Sequence, residues 1–534
     1  MKKSILSTWL LLLSISLLLA YCKGKNQESA NAINSIENLR RGDIVLCGPD
    51  QRQLGKTDFS FSCSEKSRDT FNMGLALLHS FEYSEAEKAF VKVLENDPDC
   101  AMAYWGIAMA NFHPLWAAPN KEELQKGAKA SAIALKLKGS NKREQAYIEA
   151  IHTFFNGHEE LKHAARAKQY EQAMEKIYLE YPDDKEAAIL YTLALDATAD
   201  PADKTYTNQK KAGAILNKLY PGRPDHPGVV HYIIHNYDYP ELAPLGLEAA
   251  RKYASVAPSS AHALHMPSHI FTRMGLWDES IQSNLASAAA AKCYAEALGA
   301  NAHNDQELHA MDYLVYAYLQ TGQEQKAKEQ IDYLRSMKSM FPEGQTSTYA
   351  IAAMPARYVL ELRNWKEAAT LDTTTTLFDM DKYPWSKAII HFTRVLGAVH
   401  TRDIAAARKD LSSLQNQHAR LVKSGDDYKA NQVLIQVKMA DAWIQFAEGD
   451  KEKALAGMQA AADLEEKTGK HPVTPGEVIP ARELLGDMLL AAGKNEAAQE
   501  AFQANLKRTP NRKNSLSGAS IAASRSGAVA IHRP

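Results

Sequence analysis

The fold is decided by a pattern first seen in residues 72–98, NMGLALLHSFEYSEAEKAFVKVLENDP. Small residues stand at Gly74 and Ala86, an aromatic residue at Phe90 and a closing proline at Pro98. Residues 486–510 keep the same intervals, with Gly486, Ala498, Phe502 and Pro510. From Thr70 onward alanine and leucine recur three and four residues apart, so each segment predicts two amphipathic helices joined by a turn.

The step of five residues from the turn to a small residue of the second helix recurs between these segments. It is found at Gly275/Ser280, Gly322/Ala327, Arg363/Ala368 and Gly449/Ala454. Together the matches resemble the tetratricopeptide repeat (TPR), a helical hairpin of 34 residues. The resemblance implies an all-α fold: a right-handed superhelical α-solenoid of TPR-type hairpins with insertions. It also implies a concave groove, built mainly from the first helix of each hairpin, that holds a peptide, a protein or a small ligand.

The N-terminus has the organisation of an export signal. Lys2 and Lys3 precede an apolar run from Trp9 to Ala20, and Cys22 follows the run directly. Residues 1–21 are therefore predicted to be a signal peptide. The ending LLAYC resembles a bacterial lipobox, which implies that Cys22 is lipidated and anchors the protein to a membrane of the bacterial cell envelope, facing the periplasm or the outer surface. An ordinary cleaved signal and an uncleaved anchor remain the alternatives.

Charge is nearly balanced along the 534 residues, with 62 Lys and Arg against 63 Asp and Glu and a net charge of −1. No basic stripe or long charge run stands out. Binding to nucleic acid driven by charge is therefore not expected.

Export permits disulfides among the four cysteines that follow Cys22, which are Cys47, Cys63, Cys100 and Cys293. Cys47–Cys63 and Cys63–Cys100 are both compatible with the sequence. The sequence alone does not choose the pairing.

These patterns divide the chain into six segments. They are 1–21, the signal peptide; 22–63, a tether and N-terminal loop; 64–200, N-terminal repeats; 201–321, central histidine-rich repeats with insertions; 322–510, C-terminal repeats; and 511–534, an incomplete repeat or flexible tail. The last segment begins a repeat without completing it and is either a lone capping helix or a truncated repeat that frays. Because the second helix is missing, we expect residues from about Lys513 onward to pack poorly.

Histidines are concentrated in the central repeats, where eight of the 18 lie between His226 and His309. Two runs carry most of them, HPGVVHYIIH at 226–235 and HALHMPSH at 262–269. Histidines four residues apart share one face of a helix. The TPR phasing places six of the eight on the groove-lining positions of first helices.

Because neighbouring helices pack about 8–10 Å apart, histidines on adjacent first helices are predicted to converge. The predicted metal ligands are His231, His235, His265 and His269. The supporting or alternative ligands are His262, His309, Asp238, Asp312 and His113. Such a donor set predicts a transition metal, Zn, Cu or Fe, whose identity the sequence does not fix.

Three functions follow from these patterns. The favoured hypothesis is an envelope-anchored solenoid that binds a ligand or protein partner in its groove and holds a metal there. The first alternative is a metal-dependent periplasmic enzyme in which Asp238, Arg273 or Asp312 acts as base or substrate clamp. The second is a metal-free protein-interaction scaffold.

The two histidine runs also resemble those of a group of bacterial exported TPR proteins, with the patterns HPGxxHYxIH and HxxHMPSHIF and the segment YWGIAM at 104–109. This resemblance covers most of the chain from about Cys63. It implies the architecture and no particular reaction.

Overall fold

The computed structural model describes residues 32–49, 53–115, 118–137, 141–372, 375–470 and 472–527. The signal segment and Cys22 lie outside these residues, so their export and lipidation remain predictions. Within the described ranges, no helix has both the length and the apolar composition to cross a bilayer.

The described residues are predominantly α-helical, which confirms the predicted all-α class. The helices are α1 Arg68–His79, α2 Tyr83–Asn96, α3 Ala101–Ala110, α4 Lys121–Leu137, α5 Lys142–Phe155, α6 His163–Glu180, α7 Lys185–Ala197, α8 Thr207–Leu219, α9 Pro227–Tyr237, α10 Ala243–Val256, α11 Ala261–His265, α12 Pro267–Arg273, α13 Trp277–Ala297, α14 Asp305–Gln320, α15 Glu324–Ser336, α16 Gln345–Glu361, α17 Trp365–Ala369, α18 Pro384–His400, α19 Ile404–Ser424, α20 Asp427–Glu448, α21 Lys451–Thr468, α22 Ala481–Ala491, α23 Asn495–Arg508 and α24 Lys513–Arg525. Short 3₁₀ turns occupy Glu65–Ser67, Tyr220–Gly222 and Met380–Lys382. The strands assigned in these ranges are β1 His303–Asn304 and β2 Met340–Phe341, which pair in parallel.

The described residues form two compact units. The first consists of the residues up to Ile44, Leu54–Ala199 and Thr207–Tyr232, and the second of Val45–Gln53, Asp200–Tyr206 and the chain from Ile233 onward. The division falls within α9, so the segment 201–321 contributes residues to both units.

Hairpin packing follows the pattern of small and aromatic residues. In the first unit, Phe90 of α2 fills the space beside Gly74 of α1 and Gly106 of α3, where added Cβ atoms would lie 3.0 and 2.4 Å from its ring. In the second unit, Phe502 of α23 lies in the same way against Gly486 and Gly518, at 2.6 and 2.4 Å. Each aromatic ring thus joins the first helices of two successive hairpins, as TPR-type stacking requires.

The five-residue step also corresponds to a structural feature. The small residues at its end, and their equivalents in the first and last matches, are all fully buried: Ala86, Ser280, Ala327, Ala368, Ala454 and Ala498. A small side chain at this point lets the second helix approach the first. The TPR-type hairpins predicted from the spacing are therefore present.

Two disulfides close segments that are distant in sequence. Cys63–Cys100 lies in the first unit and is one of the two predicted alternatives. Cys47–Cys293 lies in the second unit, spans 246 residues and ties the segment before residue 53 to α13. The second pairing was not anticipated, because spacing carries no information about contacts over that separation.

Helix α24 packs against α23, contrary to the expectation that residues from about Lys513 onward pack poorly. Ser515 and Gly518 of α24 are buried in contact with α23. Arg512, which precedes α24, is fully buried and pairs with Glu483 and Glu361 at 2.7 and 2.6 Å. Residues 528–534 lie outside the described residues.

Candidate metal centre

Three histidines of the second unit meet in its interior. His265 ends α11, His269 lies in α12 and His309 lies in the first turns of α14. Their exposed fractions are 0%, 4% and 3%, and their ring nitrogens approach within 4.8 Å of one another. The sequence predicted His265 and His269 as ligands and His309 as an alternative ligand.

The sequence places His262, His265 and His269 on one face of one helix, but the structure divides that helix at Met266. Pro267 lacks an N–H group, so the chain forms two short helices, α11 and α12. Met266 keeps right-handed helical angles across the division, and His265 and His269 therefore still face the same side.

Two serines of α13 hold α11 in place. Ser283 Oγ donates to the Leu264 carbonyl and Ser287 Oγ to the Ala261 carbonyl, both at 2.8 Å. Ser260 caps the start of α11 by accepting from the N–H of Ala263 at 3.1 Å. These bonds fix the backbone from which His265 projects.

The tautomers of two histidines follow from their partners. Asn284 Nδ2 donates to the Ser280 carbonyl at 2.7 Å, so its Oδ1 faces His265 and accepts from Nδ1–H at 2.6 Å. Asp238 Oδ2 accepts from Nδ1–H of His269 at 2.9 Å. Both neutral rings therefore carry their lone pair on Nε2.

The two Nε2 atoms lie 3.0 Å apart. Two lone pairs at this distance repel unless a proton or a cation lies between them. Burial lowers the pKa of His265 well below its ordinary value and also lowers that of His269. Protonation of either ring, which would place a proton between the two nitrogens, is therefore disfavoured. Two imidazoles bound to one tetrahedral Zn²⁺ would have nitrogens about 3.3 Å apart, close to the observed separation.

Tyr313, one turn after His309, borders the same space. Its Oη lies 3.3 Å from His269 Nε2, and its ring meets that of His265 edge-on, with centroids 4.7 Å apart. The rings of His265 and His309 have centroids 4.2 Å apart. The ring and the hydroxyl group of Tyr313 thus lie directly beside the histidine cluster.

Asp238 is held by two cations as well as by His269. Arg273 Nε lies 2.8 Å from Oδ1, and Lys470 Nζ lies 3.0 Å from Oδ2. Burial opposes ionisation of Asp238, but these cations and His269 outweigh it and hold its pKa well below the usual range. For Lys470 the effect of burial is larger than the attraction of Asp238, so its pKa is lowered to about 8.

Asp312 has a different partner. Its carboxylate lies 3.4 Å from Arg357 Nε, and burial raises its pKa to about 6 against the pull of that guanidinium. The candidate catalytic residues Asp238, Arg273 and Asp312 are thus all members of buried or half-buried ion pairs.

His235 and His262 lie next to the three histidines in the same unit. Their rings are stacked with centroids 6.3 Å apart, and their ligand nitrogens lie within 4.8 Å of each other. The centroid of His235 is 6.4 Å from that of His269, and the centroid of His262 is 6.4 Å from that of His265.

The remaining predicted ligands belong to the first unit. His231 Nδ1 lies 2.6 Å from the His79 carbonyl, and its ring lies against Phe81. His113 Nε2 lies 2.9 Å from the Ala110 carbonyl, and its ring stacks on Tyr83.

The first unit has a histidine and carboxylate group that sequence reasoning did not identify. Glu186 is buried between His79 and His226, at 2.5 and 3.3 Å from their Nε2 atoms. The other nitrogen of His79 contacts Tyr232 Oη at 2.9 Å, and that of His226 accepts from the Val229 N–H at 3.4 Å. Each ring nitrogen has a complementary partner here, so hydrogen bonding accounts for this group.

Residues of the segment before α22 lie against predicted groove-lining positions of α14. Arg357 donates to the carbonyls of Glu477 and Gly476 at 2.6 and 3.2 Å. A Cβ on Gly476 would lie 3.7 Å from Tyr316 Oη. Gly476 and Glu477 therefore lie on the face that the sequence predicted to be an open groove.

Sequence reasoning also missed Asn284, Tyr313 and Lys470. A signal for Asn284 exists, because Ser280, Ser283, Asn284 and Ser287 form a polar stripe at three- and four-residue spacing on α13, where apolar residues are expected. Lys470 has no local signal, since it meets Asp238 across 232 residues.

No known family model and no curated protein match this chain. Solved structures similar to it include Naa15/Naa10 bound to HypK-THB, with a TM-score of 0.23 and 12% identity over 81% of this chain and 62% of that one. The TPR domain of P58(IPK) has a TM-score of 0.20 and 10% identity, with 86% of this chain and 98% of that one covered. An IFIT1 monomeric mutant with Gppp-AAAA has a TM-score of 0.32 and 13% identity, with 86% of this chain and 97% of that one covered. This chain thus spans 62% of the length of the chain that it matches in the Naa15/Naa10 complex.

Proposed function

We propose that this protein binds a transition metal ion, Zn, Cu or Fe, through His265, His269 and His309. The observation that carries the proposal is the pair of Nε2 lone pairs facing each other at 3.0 Å in a buried space. A cation between them turns this repulsion into attraction, and neutral imidazoles are the form in which histidine binds metals.

The surroundings support the same assignment. Metal-bound histidines usually donate their other N–H to a carboxylate or carbonyl oxygen, which orients the ring and raises its basicity. Asp238 and Asn284 hold His269 and His265 in this way. In the first unit, by contrast, the His79–Glu186–His226 group satisfies its ring nitrogens without an ion.

The covered face favours a metal over a peptide in the repeat that contains α14. TPR solenoids commonly bind partners on the concave face, but Gly476 and Glu477 lie on that face here, against Tyr316 and Arg357. We therefore propose a metal-binding protein, with any protein partner bound elsewhere on the repeats.

An exported, lipid-anchored location is part of the proposal. Two disulfides, Cys47–Cys293 and Cys63–Cys100, suit an oxidising compartment. Together with the predicted signal peptide and Cys22, they support a lipoprotein of the cell envelope.

The test is metal binding by the full chain. Protein stripped with a chelator is reloaded with Zn²⁺, Cu²⁺ or, without oxygen, Fe²⁺, then desalted and measured by mass spectrometry of the elements. Wild-type protein should retain metal, and His265→Ala/His269→Ala should lose the ion bound at His265, His269 and His309 while far-UV circular dichroism stays unchanged. His418→Ala, a histidine of α19 in the same unit, is the matched control. Wild-type protein that retains none of these metals, or a double variant that binds as wild type does, refutes the proposal.

A further inference from the structure

We infer that a second metal ion binds beside the first, held by His235 and His262, so that the centre is dinuclear. This inference rests on the proposed function, since it adds an ion to the centre formed by His265, His269 and His309. It concerns two histidines that the first ion does not use.

The two added ligands come from different helices that converge. His235 lies in the last turn of α9 and His262 at the start of α11. Their ligand nitrogens lie within 4.8 Å of each other. Their rings are nearly parallel, at an interplanar angle of 21°, with centroids 6.3 Å apart.

Each of these histidines neighbours one ligand of the first ion. His262 and His265 are one turn apart on α11, and their ring centroids are 6.4 Å apart. His235 and His269 come from α9 and α12 and have the same centroid separation, 6.4 Å. The two ligand sets therefore lie next to each other, as the ligand sets of two-metal sites do.

Neutral imidazole is the form in which histidine binds a metal, through the lone pair of one ring nitrogen. Two imidazoles leave coordination positions for water or for hydroxide, and the negative charge of a hydroxide would offset part of the charge of two buried ions.

The experiment counts ions per chain and assigns them. The full chain is loaded with Zn²⁺, desalted and measured for metal and protein content. We expect about two ions per wild-type chain, one ion in His235→Ala/His262→Ala, and no loss in His418→Ala. Circular dichroism and thermal unfolding check that each variant is folded. If the double alanine variant does not fold, His235→Gln and His262→Gln are measured separately, and each should also lose one ion.

A second measurement reports distance. In Cu²⁺-loaded wild-type protein, two adjacent ions should couple and broaden the electron paramagnetic resonance spectrum. The His235→Ala/His262→Ala variant should restore the spectrum of an isolated ion.

The possible outcomes separate the two proposals. A wild-type chain that holds one ion, unchanged in His235→Ala/His262→Ala, refutes the second site and leaves the first intact. A folded double variant that keeps both ions, or loses both, refutes the separate ligand sets. A wild-type chain that takes up no metal refutes both proposals.

Discussion

Asn284 offers a sharp test of the metal centre because it touches the metal ligand without being one. Its Oδ1 accepts from His265 Nδ1–H at 2.6 Å, and its side chain is fully buried. Asn284→Ala removes the acceptor that fixes the His265 tautomer. Losing such a supporting partner typically weakens metal binding by about 10- to 100-fold, which corresponds to roughly 1.4–2.8 kcal/mol.

The metal-free protein should respond differently. Without Asn284, the His265 ring can move its proton to Nε2 and donate to His269 Nε2, which lies 3.0 Å away. This relieves the repulsion of the two lone pairs, so the loss of stability should lie toward the lower end of the roughly 1–3 kcal/mol expected for an unsatisfied buried group. Metal binding must then reverse the tautomer as well, which adds to the loss of affinity.

Two assays separate these effects. Competition with a chelator of known affinity gives the Zn²⁺ dissociation constant, and denaturant unfolding with a chelator present gives the stability of the metal-free chain. Asn416→Ala, at an exposed position of α19, is the control. If Asn284→Ala binds Zn²⁺ as tightly as wild type, the assigned tautomer or the site itself is wrong.

Two further predictions concern pH and packing. Burial lowers the pKa of His265, His269 and His309, so below about pH 6.5 the unfolded chain binds more protons than the folded chain. The metal-free protein should lose stability on acidification through this range, measured by thermal unfolding at several pH values, and a rise would contradict these pKa shifts. Phe502→Ala should cost about 3–5 kcal/mol because the ring fills the space between Gly486 and Gly518. Leu516→Ala, at a position 48% exposed, should cost far less in the same denaturant titration, and equal costs would contradict the packing role of Phe502.

Much of the helical framework could be predicted because it depends on short intervals between residues of the same hairpin. Gly74, Ala86 and Phe90 lie within one hairpin, and the same intervals at Gly486, Ala498 and Phe502 produce the same packing. A spacing of three or four residues specifies a helix face, and a turn signal specifies its end. The packing of α24 was not predicted, because it depends on the buried pairs that Arg512 forms with Glu483 and Glu361 of other helices.

The candidate site could be predicted only in part. The pair His265 and His269 was recognised from a four-residue spacing, and it lies together even though Pro267 divides the helix. The third histidine of the cluster was predicted only as an alternative ligand: His309 meets the pair, whereas His231, predicted as a ligand, contacts the His79 carbonyl within the first unit. The repeat numbering assigns which positions of each helix face the groove. It does not specify how far one helix is shifted along its neighbour, so it does not determine which of these residues touch.

The sequence by itself therefore determined the class of fold, the hairpin as its unit and the face on which the central histidines lie. These properties depend on residues within about one helical turn or one hairpin of each other. The tertiary structure decided the pairing of Cys47 with Cys293, the burial of the three histidines and the orientation of His265 and His269 by Asn284 and Asp238. Those features join residues from separate helices and loops, and their geometry follows from how the packed elements fit together.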